Sequence, residues 1–280
     1  MLAYRHLFHA GNFADVFKHA LLARLLLALA RKDKPYCYLD THAGTGRYDL
    51  RHPWAQKNAE WRDGIERVLA RSDAPASLTP YLEAVRAENP DGKLRFYPGS
   101  PRIAQRLLRA GDRMVLNELN PADFEELKAR FAGERGVAVH QMDGYQALRA
   151  FLPPPERRGL VLVDSSFDRS GEFARLTEAL AGAHRRWATG VFALWYPLMD
   201  PGAMRGFERG ILATGIRRIL RFDLSVLPER WSQSLRGSGM LVVNPPYGLE
   251  DEAGPMLDWL WRVLAPSGQG ECGMGWLVPE

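Results

Sequence analysis

Cysteine is nearly missing from this 280-residue chain, with Cys37 and Cys272 the only two. Two thiols cannot build a disulfide framework or a cysteine-based zinc site. Cys37 lies inside an apolar run and reads as a small core residue. Apolar stretches of the roughly 20 residues that cross a bilayer are also missing; Ala20–Ala30 is apolar but short, and it follows Lys18 and His19. The first residues carry Arg5, His6, His9 and Asp15 where a secretory leader would hold its apolar segment. A cytoplasmic protein is therefore expected, with no membrane and no metal. Repeats and low-complexity segments are lacking too. What remains is 46% hydrophobic and 25% charged, with mean hydropathy −0.27. That is enough for a full core and fits one α/β domain with an insertion, or two smaller domains. The net charge of +4 and pI near 9.1 permit a nucleic-acid partner without requiring one.

Runs of β-favouring residues alternate with helical periodicity along most of the chain. Strands are expected at 36–40, 113–119, 137–140, 159–164, 191–196, 216–227, 239–243 and near 274–278. A helix begins near Phe13 and is clearest over 20–31, where Leu21, Leu22, Leu25, Leu26 and Leu29 repeat at helical spacing. Further helices follow the later strands. This alternation implies a mostly parallel sheet covered on both faces. Residues 51–96 differ: Trp54, Trp61, Ile65, Val68, Tyr81 and Val85 stand among Glu, Arg and Ala with no convincing strand. They read as an inserted helical subdomain of two or three helices, within a catalytic domain formed by 1–50 and 97–280.

The stretch Asp40-Thr41-His42-Ala43-Gly44-Thr45-Gly46 follows the first strand. A strand that empties into a glycine loop is a usual opening of a nucleotide-type site. Asp40/His42, Glu118, Asp143 and Asp164 then fall at the ends of successive expected strands. In an open parallel sheet those ends share one edge, where ligands bind. A dinucleotide fingerprint would add a third glycine, but Asp49 stands three residues after Gly46. A nicotinamide-dependent oxidoreductase is disfavoured on that ground. A nucleoside cofactor without pyrophosphate needs acids for ribose and adenine and no phosphate cradle; S-adenosylmethionine answers that description.

Several ordered stretches then carry a resemblance: MLAYRHLFHAGNFADVFKH, LDTHAGTGRY, RFYPGSP, RRGLVLVD, ALWYP and VVNPPY. Along essentially its whole length the chain resembles the bacterial 23S rRNA adenine-N6 methyltransferase RlmJ family. The resemblance implies an α/β, Rossmann-like class I S-adenosylmethionine-dependent methyltransferase with a seven-stranded sheet and a small inserted helical subdomain. It further implies S-adenosylmethionine as methyl donor, S-adenosylhomocysteine as product and an adenine of 23S rRNA as acceptor; a monomer is expected. Carried over by position, the family's cofactor contacts fall on His19, His42, Ser100, Glu118, Asp143, Gly144 and Asp164. Asp164 is the implied catalytic residue, and Tyr4 and Phe167 would meet the target adenosine. On this reading Glu118 accepts from both ribose hydroxyls, and Asp143 accepts from the adenine amine beside the Gly144 backbone. His19 and Ser100 would serve the methionine end, with Ser100 capping a helix whose N–H groups favour a carboxylate. Arg5, His6 and Lys18 could neutralise RNA phosphates.

Adenine-N6 methyltransferases usually carry an Asp/Asn-Pro-Pro-aromatic quartet after the fourth strand, and here it reads Asp164-Ser165-Ser166-Phe167. The acid and the aromatic remain, while the two rings that restrict the loop's dihedrals are gone. A second reading follows: a catalytically weakened protein that binds S-adenosylmethionine and RNA. Asn244-Pro245-Pro246-Tyr247 is a complete quartet by composition. It comes late, far from the cofactor acids, and the resembled family has a similar Asn-Pro-Pro there. Asp164 is preferred over Asn244.

Overall fold

Around the first strand, side chains alternate between two cores, as the two-residue period of a strand requires. Tyr36 and Tyr38 enter one apolar cluster, Cys37 and Leu39 the other. The computed structural model describes residues 5–227, 235–265 and 267–280. In chain order the elements are α1 (Phe13–Ala30), β1 (Cys37–Asp40), β2 (Arg47–Asp49), α2 (Pro53–Asn58), α3 (Ile65–Leu69), α4 (Thr79–Ala87) and β3 (Phe96–Pro98). Then come α5 (Ser100–Leu107), β4 (Arg113–Asn117), α6 (Pro121–Arg130), β5 (Val137–His140), α7 (Gly144–Phe151) and β6 (Gly159–Val163). The remainder is α8 (Glu172–Arg186), β7 (Val191–Pro197), α9 (Pro201–Ala213), β8 (Ile219–Ser225), β9 (Gly237–Val243), α10 (Leu249–Leu264) and β10 (Cys272–Val278).

Eight strands form one sheet in the order β10-β8-β9-β7-β6-β1-β4-β5. The block β5, β4, β1, β6 and β7 is parallel. β9 runs antiparallel between β7 and β8, and β10 is antiparallel on β8. This is the Rossmann-like α/β sheet of class I methyltransferases, and β10, the strand expected near 274–278, is laid on the edge after α10 as an eighth beyond the seven that the resemblance implies. Helices cover both faces: α1, α5 and α10 contribute to the core on one side, α7, α8 and α9 on the other. Among the described residues no helix is long and apolar enough to cross a membrane.

Two departures from the sequence reading bear on the site. Helix α1 is buried on every side from Ala14 to Leu26, including Asp15, Lys18, His19 and Arg24, rather than presenting one apolar face. Its all-round leucine and alanine content suits that central position. The residues after the glycine loop also form a strand: β2 pairs antiparallel with β3, Tyr48 opposite Tyr97, and closes the base of the segment holding α2, α3 and α4. Each strand is three residues long, too short to show a period. Trp61, Ile65, Val68, Tyr81 and Val85 of that segment pack into the same core as α1.

Candidate active site

The C-terminal ends of β1, β4, β5 and β6 converge on a cavity of about 1070 Å³, lined by His19, His42, Ser100, Glu118, Asp143, Gly144, Asp164 and Phe167 among others. Every cofactor, catalytic and adenosine position carried over from the resemblance within the described residues lines this one cavity, whereas Arg5, Asp40 and Asn244 do not. Tyr4 lies outside the described residues. Among the described residues no group of three or more His, Cys, Asp and Glu is arranged to hold a metal ion.

The glycine loop is turned back on its own neighbours. The His42 N–H reaches Asp40 Oδ1 (3.3 Å), the Ala43 N–H the Asn117 carbonyl (2.9 Å), and the Gly44 N–H Glu118 Oε2 (2.9 Å). Three successive N–H donors that would otherwise cradle a pyrophosphate are thus consumed internally. Gly44 has φ +58°, and a Cβ there would lie 2.1 Å from Tyr48 Oη, so any other residue would be strained and would have to displace the Tyr48 ring. Glu118 also accepts from the Asn120 N–H through Oε1 (2.7 Å). Each carboxylate oxygen keeps one further lone pair for a ligand, and burial raises the carboxyl above its ordinary range. Asn117 ties the neighbouring loops together, donating through Nδ2 to the carbonyls of Thr41 and Met142 at 2.9 Å each.

Asp143 caps α7, its Oδ1 accepting from the N–H groups of Tyr145 and Gln146, while Oδ2 lies 3.5 Å from Arg175 Nη2. Gly144 is glycine because a Cβ would come within 2.5 Å of His42 Cε1 and 2.7 Å of the Thr41 carbonyl. His42, with Nδ1 2.8 Å from Thr41 Oγ1, has its pKa lowered by burial despite the carboxylates of Asp164 and Asp143. His19 is buried, hydrogen-bonded through Nδ1 to Tyr97 Oη (2.8 Å), and held neutral because burial pushes its pKa well below the ordinary value. Ser100 is the first residue of α5 rather than its cap; Gly99 takes the cap position, its carbonyl accepting from Arg102 and Ile103. The Ser100 hydroxyl instead faces Asp40, a fully buried carboxyl pushed up to about 6 by desolvation and bonded by Tyr38 Oη (2.7 Å).

Lys18 was expected among phosphate-facing cations. It is 4% exposed, and its Nζ lies 2.5 Å from Asp164 Oδ2 and 2.9 Å from Asp15 Oδ1. Burial opposes its charge, but the two carboxylates outweigh it and raise the pKa. Asp15 in turn accepts from the Gly11 N–H (2.9 Å) and bonds His6 Nε2 (3.0 Å). Its own burial is outweighed by His6, Lys18 and His19, which hold the carboxyl well below the usual range. Arg5 is spent on Asp123 at 3.3 Å. Sequence reasoning missed Asp15 and the role of Lys18 because a charged pair three apart on a helix normally marks a solvated face.

The Asp164-Ser165-Ser166-Phe167 loop is held without proline. Ser166 Oγ donates to Asp168 Oδ1 (2.5 Å). Phe167 takes a left-handed backbone, φ +51°, and its ring packs against Phe173 (4.9 Å) and edge-on to Trp195 (5.8 Å). Ser165 Oγ is buried and makes no hydrogen bond of good geometry among the described residues, though it lies beside the Tyr145 hydroxyl. Asn244 is elsewhere, at the opposite edge of the sheet, where its Nδ2 donates to the carbonyls of Ala188 and Gly190.

The family model described as ribosomal RNA large subunit methyltransferase D, RlmJ, matches residues 33–278. Ribosomal RNA large subunit methyltransferase J of Escherichia coli is 43% identical over 280 residues, and the protein of that name in Haemophilus influenzae is 41% identical over 281; both matches cover 100% of each chain. A solved structure of a Legionella pneumophila protein superposes with a TM-score of 0.89 at 35% identity, covering 96% of this chain and 98% of that one. Sheet order, the converging strand-end acids and full-length identity agree: this chain belongs to the RlmJ family of ribosomal RNA large subunit methyltransferases.

Proposed function

We propose that this protein is a cytoplasmic, monomeric enzyme that methylates N6 of an adenine in 23S rRNA, using S-adenosylmethionine. The observation that carries the reading is Asp164. Its Oδ2 is fixed by Lys18, while Oδ1 has no hydrogen-bond partner among the described residues and the residue lines the cavity. The cavity also fits the cofactor. It offers a ribose-binding carboxylate in Glu118, an acceptor in Asp143 Oδ2 and a neutral imidazole in His19, and the His42, Ala43 and Gly44 N–H groups of its glycine loop are already engaged within the protein. Its volume, about 1070 Å³, is at the upper end of small-molecule sites and leaves room for a base beside a nucleoside.

When bound, S-adenosylmethionine supplies an electrophilic methyl group and leaves as S-adenosylhomocysteine. Glu118 would hold the ribose hydroxyls, Asp143 and the Gly144 backbone the adenine, and His19, His42 and Ser100 the remaining polar atoms. Asp164 Oδ1 accepts one hydrogen of the target amine and the Ser165 carbonyl the other, drawing the nitrogen lone pair out of conjugation. Phe167 stacks on the extruded base, a contact worth roughly 1–3 kcal/mol, and Tyr4 is proposed to meet the same nucleoside. The Ser166–Asp168 bond and the packing of Phe167 favour an active loop over the weakened reading.

The test is incubation with methyl-labelled S-adenosylmethionine and protein-free 23S rRNA from cells lacking the modification, followed by digestion to nucleosides. Label is expected in N6-methyladenosine. No label, or label at another atom, would refute the reading, while binding of S-adenosylmethionine without turnover would support the weakened one.

A further inference from the structure

We infer that Trp195 is a positioning residue that clamps both ends of the catalytic loop, replacing the stiffness that Ser165 and Ser166 do not provide. The inference rests on the function proposed above. Phe167 holds φ +51°, a conformation disfavoured for any residue with a Cβ and maintained only where its surroundings dictate it. Those surroundings are two rings. Phe173 lies 4.9 Å away and is backed by Phe207 at 4.8 Å, and the Trp195 indole meets Phe167 edge-on at 5.8 Å and 75°.

The same indole reaches the other end of the loop. Lys18 Nζ sits 5.8 Å above its ring while paired to Asp164 at 2.5 Å. One side chain therefore touches the aromatic of the loop directly and the acid through its lysine. The indole is itself anchored: its Nε1–H donates to Ser238 Oγ at 2.5 Å, and Ser238 is fully buried at the start of β9. β9 runs antiparallel to β7, so its first residues lie beside the last residues of β7, Pro197 opposite Ser238. That reversal places the anchor at the cavity edge, and the indole cannot rotate away without losing the one partner its half-buried N–H has among the described residues.

Three measurements test the clamp. Trp195→Phe keeps an aromatic ring but loses the anchor and the indole's reach. Its single-turnover methyl-transfer rate is expected to fall about 10²-fold, the scale of a misplaced reacting group. The affinity for S-adenosylmethionine and the KM for RNA should stay close to those of the parent, while the thermal midpoint falls by a few degrees because the buried Ser238 hydroxyl loses its partner. Ser238→Ala should give a smaller loss in the same parameter and none further in the Trp195→Phe background, because both act through one contact. Independently of activity, 4-fluorophenylalanine at position 167 should show one shifted ¹⁹F resonance that moves toward the free value in Trp195→Phe. An unchanged rate, an unchanged ¹⁹F signal, or a parallel loss of cofactor affinity would each overturn the clamp. Absence of methyl transfer in the parent protein would instead count against the proposed function, and the ¹⁹F comparison would still decide the clamp.

Discussion

Asp164-Ser165-Ser166-Phe167 follows β6, and Asn244-Pro245-Pro246-Tyr247 follows β9. Each has one residue in the left-handed region, Phe167 at φ +51° and Asn244 at φ +52°. By composition the second is the more complete amine-methylating motif. Yet β6 lies in the parallel block and opens into the cavity, whereas β9 runs the other way and delivers its loop to the opposite edge. There Asn244 is consumed by two backbone carbonyls and Tyr247 is 97% exposed. Strand direction, more than motif chemistry, decides which acid or amide meets a ligand. Rigidity is also obtained differently: pyrrolidine rings stiffen the exterior turn, while packing and one serine–aspartate bond hold the inner loop.

The largest effect expected from breaking this comparison is on catalysis. Asp164→Ala should lower the methyl-transfer rate by about 10²–10³-fold, the range for one lost preorganised hydrogen-bonding group at the reacting centre. Asn244→Ala should leave the rate intact and cost roughly 1 kcal/mol in urea unfolding, for two lost hydrogen bonds, one exposed and one partly buried. The opposite pattern would transfer the catalytic role to the β9 loop.

A second comparison asks what the inner loop depends on. Lys18→Met leaves Asp15, 2% exposed, and Asp164 without their shared cation. Breaking a buried ion pair in this way costs about 3–5 kcal/mol, to be read from the denaturant midpoint. A cost near zero would mean that the network His6–Asp15–Lys18–Asp164 is not held as described.

The last effect is a pH dependence behind the glycine loop. Asp40 is pushed up from 3.8 to about 6 by burial. Between those values the folded protein keeps a proton that the unfolded chain has released, so stability falls as pH rises through this window. The decline is about 3 kcal/mol and is complete above about pH 6. Asp40→Asn should remove it, and unfolding at about pH 4.5 and about pH 7 would show the change. Asp15 acts in the reverse sense: held low, it stabilises above the ordinary carboxylate range and loses that contribution as pH falls below it.

Most of the sheet was legible before any coordinates. Residues 159–164 are continuous apolar sequence ending in an acid, and β6 is Gly159–Val163 with Asp164 next. Glu118 and Asp143 likewise follow β4 and β5. What escaped was information carried by no local period. Asp15 and Lys18 look like a solvated helix pair, and only the sheet and helices packed around α1 reveal them as buried. β2 and β3 are too short to announce themselves, and their pairing spans the whole helical segment between them. Ser100 stands one residue inside the helix it was expected to cap, and its hydroxyl turns to Asp40.

By itself the sequence determined most of the strand and helix order and the sheet edge at which the strand-end acids gather, because hydrophobic period and strand-end position are local properties of the chain. Strand order in the sequence already favoured Asp164 over Asn244; tertiary structure alone decided that the β9 loop turns to the opposite edge, that Lys18 pairs with Asp164 rather than standing free for a phosphate, and that Trp195 and Phe173 pack against Phe167. Those outcomes depend on strand direction and on burial by elements distant in the chain, and both arise only when the sheet is assembled.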